Sequence, residues 1–116
     1  MRYMFLIYSK EQAQADPAEM QQVRERHRAL MEETAKSGVF RAGEPLESVS
    51  SATTIRFDSG EPMITDGPFA ETKEQLAGYY ILECKDLDEA LEWAKKIPTG
   101  CFGSQGSVEV RPIRRI

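Results

Sequence analysis

The first hydrophobic positions of the chain follow one another without a polar break. Residues 3–8 are all apolar or aromatic, which predicts a strand over residues 2–8. Successive side chains of a strand point to opposite faces, so this strand has two apolar faces and needs cover on both. The faces carry Tyr3, Phe5 and Ile7 on one side, and Met4, Leu6 and Tyr8 on the other.

A helical spacing of apolar residues begins soon afterwards. Asp16 is a suitable N-cap, Pro17 occupies the first helical position and Glu19 completes a capping-box pattern. Gly38 is a typical residue just beyond a helix end. The predicted stripe, which should face the sheet, consists of Met20, Val23, His27, Leu30, Met31 and Thr34.

A second helix is predicted near the end of the chain. Asp86 is its N-cap, Glu89 is the third helical residue, and Pro98 and Gly100 stop the helix. The apolar stripe of this helix consists of Leu87, Ala90, Leu91, Ala94 and Ile97, with Trp93 beside it.

The remaining apolar segments predict further strands. They cover residues 39–46, 53–57, 62–65, 76–84 and 107–113. Residues 58–60 turn the chain between the second and third of these segments and predict a hairpin, and residues 70–75 are a polar connector with a helical turn. Without the hairpin the order is βαββαβ, the ferredoxin-like α+β fold, in one domain over residues 1–116.

In that fold, two helices cover only one face of the antiparallel sheet. The doubly apolar first strand requires cover on the other face as well, and a chain of this length has no third layer to supply it. A second copy of the chain is the simplest cover, so the sequence predicts a homodimer.

Composition narrows the classes of function. The chain has 116 residues, of which 41% are hydrophobic and 29% charged, as is typical of a folded globular domain. The apolar run of six residues is too short to span a membrane, and the net charge of −4 argues against nucleic acid as a partner. We therefore expect a cytoplasmic protein without membrane contact.

The residues that bind metals and cofactors are few. Cys84 and Cys101 form no CxxC pair, and His27 is the only histidine, so no metal site is expected and both thiols are expected to be free. The glycines form no phosphate-binding loop, and no cofactor is expected.

One stretch resembles a known family. Residues 66–74 read DGPFAETKE, closely similar to the signature of the DGPF-type, YCII-related family. The likeness continues through residues 75–80, the 86–98 helix and residues 107–112, and includes residues 1–8 and 42–44. Ala77 departs from it, since many relatives have glycine there.

The resemblance implies a dimeric α/β-barrel, in which two ferredoxin-like sheets pack face to face. It also implies an unsettled biochemistry: barrels of this type include muconolactone-processing and dehalogenating enzymes, and YCII-type members are proposed to use a histidine and an acidic residue in a cleft. Residues 24–27 resemble the setting of that histidine. A gene neighbourhood with extracytoplasmic-function sigma factors, common for DGPF proteins, implies a signalling role instead.

The candidate site is centred on His27, whose unperturbed pKa lies near neutrality. An acid–base dyad needs a carboxylate, for which Asp66, Glu44 and Glu47 are alternatives; Asp66 and Glu44 are the predicted catalytic partners. Lys73 and Tyr79 are predicted to bind a small acidic or lactone-like substrate. Each of these residues also has a purely structural interpretation. His27 would be a core histidine and Asp66 would form an Asx turn. Glu44 and Lys73 would be exposed side chains, and Tyr79 would pack in the core. A non-catalytic ligand-binding or regulatory dimer is the alternative function.

Overall fold

The computed structural model describes residues 1–11, 16–99 and 105–116. The fold is mixed α+β, and its elements follow one another as β1 (Arg2–Ser9), α1 (Pro17–Lys36), β2 (Phe40–Pro45), a 3₁₀ turn (Val49–Ser51), β3 (Thr53–Asp58), β4 (Glu61–Asp66), β5 (Gln75–Glu83), α2 (Leu87–Ala94) and β6 (Ser107–Pro112).

Four of the strands form one antiparallel sheet in the order β2-β5-β1-β6. This is the strand order of the ferredoxin-like fold, so the predicted fold class is confirmed. The predicted hairpin is also present: β3 and β4 pair with each other in a separate two-stranded ribbon. Ser59 and Gly60 join them, both with positive φ (52° and 85°), as the favoured two-residue hairpin turns require.

The hydrophobic core lies between the sheet and the helices. Phe5 of β1 and Leu82 of β5 are fully enclosed there, and Leu30 and Thr34 of α1 pack over the same face. The buried set is Tyr3, Phe5, Ile7, Leu30, Thr34, Tyr80, Leu82, Cys84, Ala90 and Ile97. Burial of this face is the main driving force available to the fold.

The other face of the sheet is only partly buried. Its side chains alternate with the core residues along the two central strands, and the register places Met4 opposite Ile81 and Leu6 opposite Tyr79. Ala42 of β2 pairs with Ile81 and continues the apolar strip. We call this surface, formed by Met4, Leu6, Ala42, Tyr79 and Ile81, the open sheet face.

The boundaries of α1 agree with its predicted caps, because the Asp16 carboxylate accepts a hydrogen bond from the Ala18 amide at 3.1 Å and the helix ends just before Gly38. The predicted stripe holds only in part, since Met20 remains 41% exposed. Among the described residues, no helix has both the length and the apolar character needed to cross a membrane.

The strand ends agree with the predictions to within one residue, and two other predictions differ more. The helix α2 ends at Ala94, before Pro98, and the chain continues in tighter turns in which the Ile97 amide donates to the Ala94 carbonyl. The helical turn predicted in residues 70–75 is wrong: side-chain hydrogen bonds order this connector, including one from the Gln75 amide group to the Thr72 carbonyl. Of the residues predicted to stop α2, Gly100 lies outside the described residues. Of the two thiols predicted to be free, Cys101 also lies outside them, and Cys84 is a buried free thiol.

We predict that Leu82→Ala lowers the free energy of unfolding by about 2–5 kcal/mol, because it leaves a cavity in a core that is otherwise closed. The matched variant Leu91→Ala removes the same atoms from a side chain that is 40% exposed, and should cost well under half as much. Chemical denaturation of both variants measures the difference. Equal losses would show that the core is not where the sheet and helices meet.

Candidate functional site

The candidate site is a contact between the first helix and the central sheet. His27 of α1 is half-buried, and its Nδ1 lies 2.7 Å from the Tyr80 hydroxyl of β5. The two rings are stacked with centroids 5.8 Å apart and planes inclined by 24°. His27 precedes the buried Leu30 by three residues, so the packing of one helical face directs the imidazole toward the sheet.

The sheet places Tyr80 through its two neighbours. Tyr80 pairs with Phe5 on one side and with Gly43 on the other. A Cβ atom at position 43 would come within 2.9 Å of the Tyr80 ring, so the absence of a side chain at Gly43 makes room for the phenol. The ring is therefore held in the core, with its hydroxyl at the helix layer.

Burial sets the protonation of both groups. It lowers the pKa of His27, and the nearby positive charge of Arg26 lowers that pKa further. Burial also raises the pKa of Tyr80 to about 12. At pH 7 the imidazole and the phenol are therefore both neutral, and a single hydrogen lies between Nδ1 and the hydroxyl oxygen. Which group donates it depends on the tautomer of the histidine.

The predicted carboxylates lie elsewhere in the protomer. Glu44 pairs with Tyr79 and shares its face of the sheet, opposite to the face that carries Tyr80. Asp66 ends β4 opposite Thr53, and Glu47 is exposed after β2. Within the described residues, no carboxylate forms a hydrogen bond or ion pair with His27. The pairing of His27 with Asp66 or Glu44 stays a prediction.

The two predicted substrate-binding residues are also separate from His27. Tyr79 lies on the open sheet face, and Lys73 is exposed in the connector that follows the hairpin. Their roles toward a substrate stay predictions. Within the described part of the chain, His27 lies against Tyr80 and against neither of these two residues.

The DGPF motif has a visible structural role. The Gly67 amide donates to the Ala52 carbonyl at 2.7 Å, and the Thr54 hydroxyl donates to the Gly67 carbonyl at 2.7 Å. The Arg56 guanidinium donates to the Phe69 carbonyl. These bonds fold residues 66–69 over one face of the hairpin and fix the base of the ribbon.

Tyr80 is the site residue that the sequence analysis did not select. The alternation of Tyr79 and Tyr80 shows that one of them faces the helices, and the helical stripe places His27 on the same side. These two patterns together predict the contact between His27 and Tyr80 only if it is already known which of the two tyrosines faces the helices. The residues that the structure describes contain no group of three or more metal-ligating side chains placed to hold an ion.

Comparison with known proteins identifies the family. The model of the YCII-related domain matches residues 1–116, so the chain belongs to the YCII-related family. A protein of Rhizobium meliloti (strain 1021), described as uncharacterized, is 48% identical over 68 residues. That match covers 59% of this chain and 54% of the relative, so the chain matches about half the length of that protein.

We predict that NMR titration of the single histidine gives a pKa below the reference value of about 6.5. Arg26→Gln should raise this pKa, because it removes a positive charge that disfavours the imidazolium ion. The control Arg28→Gln should raise it less. A pKa above 6.5 that falls again in Glu44→Gln or Asp66→Asn would contradict this prediction and show a carboxylate on the ring.

Proposed function

We propose that this YCII-related domain is a homodimeric, cofactor-independent protein that transfers protons on a small acidic or lactone-like molecule at His27 and Tyr80. The observation that carries this proposal is the 2.7 Å contact between a neutral imidazole and a neutral phenol at the boundary of the core. A histidine that is neutral at pH 7 can accept a proton, and a fixed hydrogen-bond partner holds its ring in one orientation.

The chemistry follows from the tautomer. When Nδ1–H donates to the Tyr80 oxygen, the lone pair of Nε2 accepts a proton from the substrate, and the ring becomes an imidazolium ion. The same proton then returns to another atom of the substrate, so no external acid is consumed. When the Tyr80 hydroxyl donates to Nδ1 instead, Nε2 carries the hydrogen and can donate a hydrogen bond to a substrate oxygen, but transfers no proton.

A carboxylate near the imidazolium ion would stabilise it, and this is the role proposed for Asp66 or Glu44. Glu44 lies on the face opposite Tyr80, on the edge strand β2, so its contact with His27 would have to pass around the edge of the sheet. Lys73 and Tyr79 are proposed to bind the acidic part of the substrate. These four assignments rest on the sequence pattern and the family resemblance.

A second candidate is a non-catalytic ligand-binding or regulatory dimer. It is favoured by the separation of the described carboxylates from His27, which leaves two neutral hydrogen-bonding groups suited to holding a ligand. A connection with extracytoplasmic-function sigma factors would be a regulatory use of such a dimer, and rests on the resemblance alone.

The homodimer is proposed from the open sheet face. Met4, Leu6 and Ile81 stay partly exposed on the two central strands of the sheet, where an antiparallel sheet with one wetted face would carry polar residues. A second copy would cover this strip with the same strip of its own, as two-fold symmetric interfaces do.

We predict that the protein accelerates the exchange of the acidic C–H hydrogens of muconolactone for deuterium in D₂O. Muconolactone is a suitable probe because it contains both a lactone ring and a carboxylate, the two features of the proposed substrate class. His27→Gln should slow the exchange by about 100-fold or more, and Tyr80→Phe should slow it by about tenfold, because the imidazole ring is no longer held by the Tyr80 hydroxyl. Glu92→Gln, an exposed change on α2, should leave the rate unchanged.

Two other outcomes have clear meanings. If the exchange proceeds at the buffer rate while muconolactone shifts the His27 resonances, the ligand-binding function is supported and the catalytic one fails. If the protein changes neither the exchange rate nor the resonances, this substrate class is wrong for the site.

We predict that sedimentation equilibrium gives a mass of twice 13.1 kDa for the wild-type chain. Ile81→Asp places a charge in the middle of the open sheet face and should give a mass near that of one chain, with the circular dichroism spectrum retained. Leu87→Asp, an equally drastic change at an exposed position of α2, should remain dimeric. A wild-type mass near 13.1 kDa would contradict the homodimer.

A further inference from the structure

The β3–β4 ribbon presents an apolar surface away from the rest of the protomer. The register pairs Ile55 with Ile64 and Phe57 with Pro62, so these four side chains share one face. Ile55, Phe57 and Ile64 are 54%, 74% and 69% exposed. We call this surface, formed by Ile55, Phe57, Pro62 and Ile64, the apolar ribbon face.

The opposite face of the ribbon carries the hydrogen bonds to the DGPF turn. Thr54 and Arg56 lie on it and donate hydrogen bonds to the carbonyls of Gly67 and Phe69, so the DGPF turn packs against this side. The apolar ribbon face therefore points away from the chain's own turn. An isolated two-stranded hairpin is marginally stable in water, and contiguous apolar surface of this kind marks an interaction site.

The chain exposes more surface than a compact monomer of its mass, which indicates a large interface. The chain exposes 8570 Å², whereas a monomeric protein of 13.1 kDa exposes about 6,400 Å² by the scaling of surface with mass. The radius of gyration of 15.9 Å likewise exceeds the value of about 13.4 Å for a compact domain of this length. The surplus of about 2,200 Å² is well above the roughly 800 Å² that each partner buries in a standard interface.

The open sheet face cannot account for this surplus alone. Four strands of six to nine residues span roughly 19 by 24 Å, or about 460 Å² in plan. The ribbon supplies the next apolar surface. Leu46 lies between the two surfaces along the chain, and its amide donates a hydrogen bond to the Ala77 carbonyl of β5. Leu46 is 47% exposed at the point where the chain continues toward the ribbon.

The charge of the ribbon bears on the kind of partner. Residues 53–66 contain one basic residue, Arg56, and three acidic ones, Asp58, Glu61 and Asp66, which gives a net charge of 1 − 3 = −2. Anionic lipid surfaces and nucleic acids bind through basic residues, so both are disfavoured. A protein surface remains, and the continuity with the open sheet face favours a second copy of this chain.

We propose that the β3–β4 ribbon is a dimerisation arm, whose apolar face packs against the second copy of the chain beyond the edge of the sheet. This inference rests on the homodimer proposed above and adds a second contact surface to it. In this arrangement the DGPF motif serves assembly, because it fixes the base of the arm.

The test compares the two faces of the ribbon by analytical ultracentrifugation. The double variant Phe57→Thr and Ile64→Thr removes the apolar ribbon face while keeping residues that favour strands. It should raise the dimer dissociation constant at least tenfold. Met63→Thr is the matched control, since Met63 is 51% exposed on the opposite face, and it should change the constant less than threefold.

Hydrogen exchange of the wild-type chain provides a measurement that needs no variant in the ribbon. Amides of residues 53–66 should be protected in the dimer and should exchange fast in the Ile81→Asp monomer. If the wild type is a dimer but its ribbon exchanges fast and the double variant binds normally, the arm is wrong and the homodimer stands. If the wild type is a monomer, the homodimer fails, and the arm fails with it.

Discussion

The pairing of β1 with β5 at the centre of the sheet is the constraint on which the rest of the structure depends. Both strands carry apolar side chains on both faces, as the pairs Phe5–Tyr80 and Leu6–Tyr79 show. Two helices cover one of these faces and form the core. The contact between His27 and Tyr80 lies on the covered face, and the open sheet face lies on the other side.

Tyr80 shows how a core residue can also be a site residue. Its ring fills the space that Gly43 leaves free, and its hydroxyl reaches His27 at the layer of helices. A buried tyrosine hydroxyl needs a hydrogen-bond partner, because an unsatisfied one would cost the protein its desolvation energy. The contact with His27 therefore stabilises the fold and fixes the imidazole at the same time. The pKa of His27 falls for the same reason, since the burial that orients the ring also disfavours its charge.

The elements were predictable from the sequence because local signals marked them. Asp16 and Asp86 cap the two helices as expected, and segments with apolar or β-branched residues between turn residues mark the strands. The site was less predictable because it depends on strand parity. The irregularities in register after Ile7 and between Phe40 and Ala42 shift which residues face each other, and a pattern along one strand does not reveal them. Tyr80 contacts His27, and the sequence alone does not show which of Tyr79 and Tyr80 faces the helices. Met20 of the α1 stripe and Leu87 and Leu91 of the α2 stripe stay exposed for a different reason: periodicity gives the approximate face of a helix, but not how much of that face the neighbouring sheet covers.

The DGPF motif illustrates why a specific sequence need not be a catalytic one. Its backbone groups bond to Ala52, Thr54 and Arg56, all at the base or on one face of the hairpin. A ribbon that pairs with no other strand of the sheet has few other means of holding a fixed direction. The turn therefore determines which ribbon face is occupied by the chain itself and which is presented outward. On this reasoning the geometry of the ribbon determines the position of the Asp66 carboxylate within one chain. A contact between Asp66 and His27 would then depend on where the ribbon lies in an assembly of two copies.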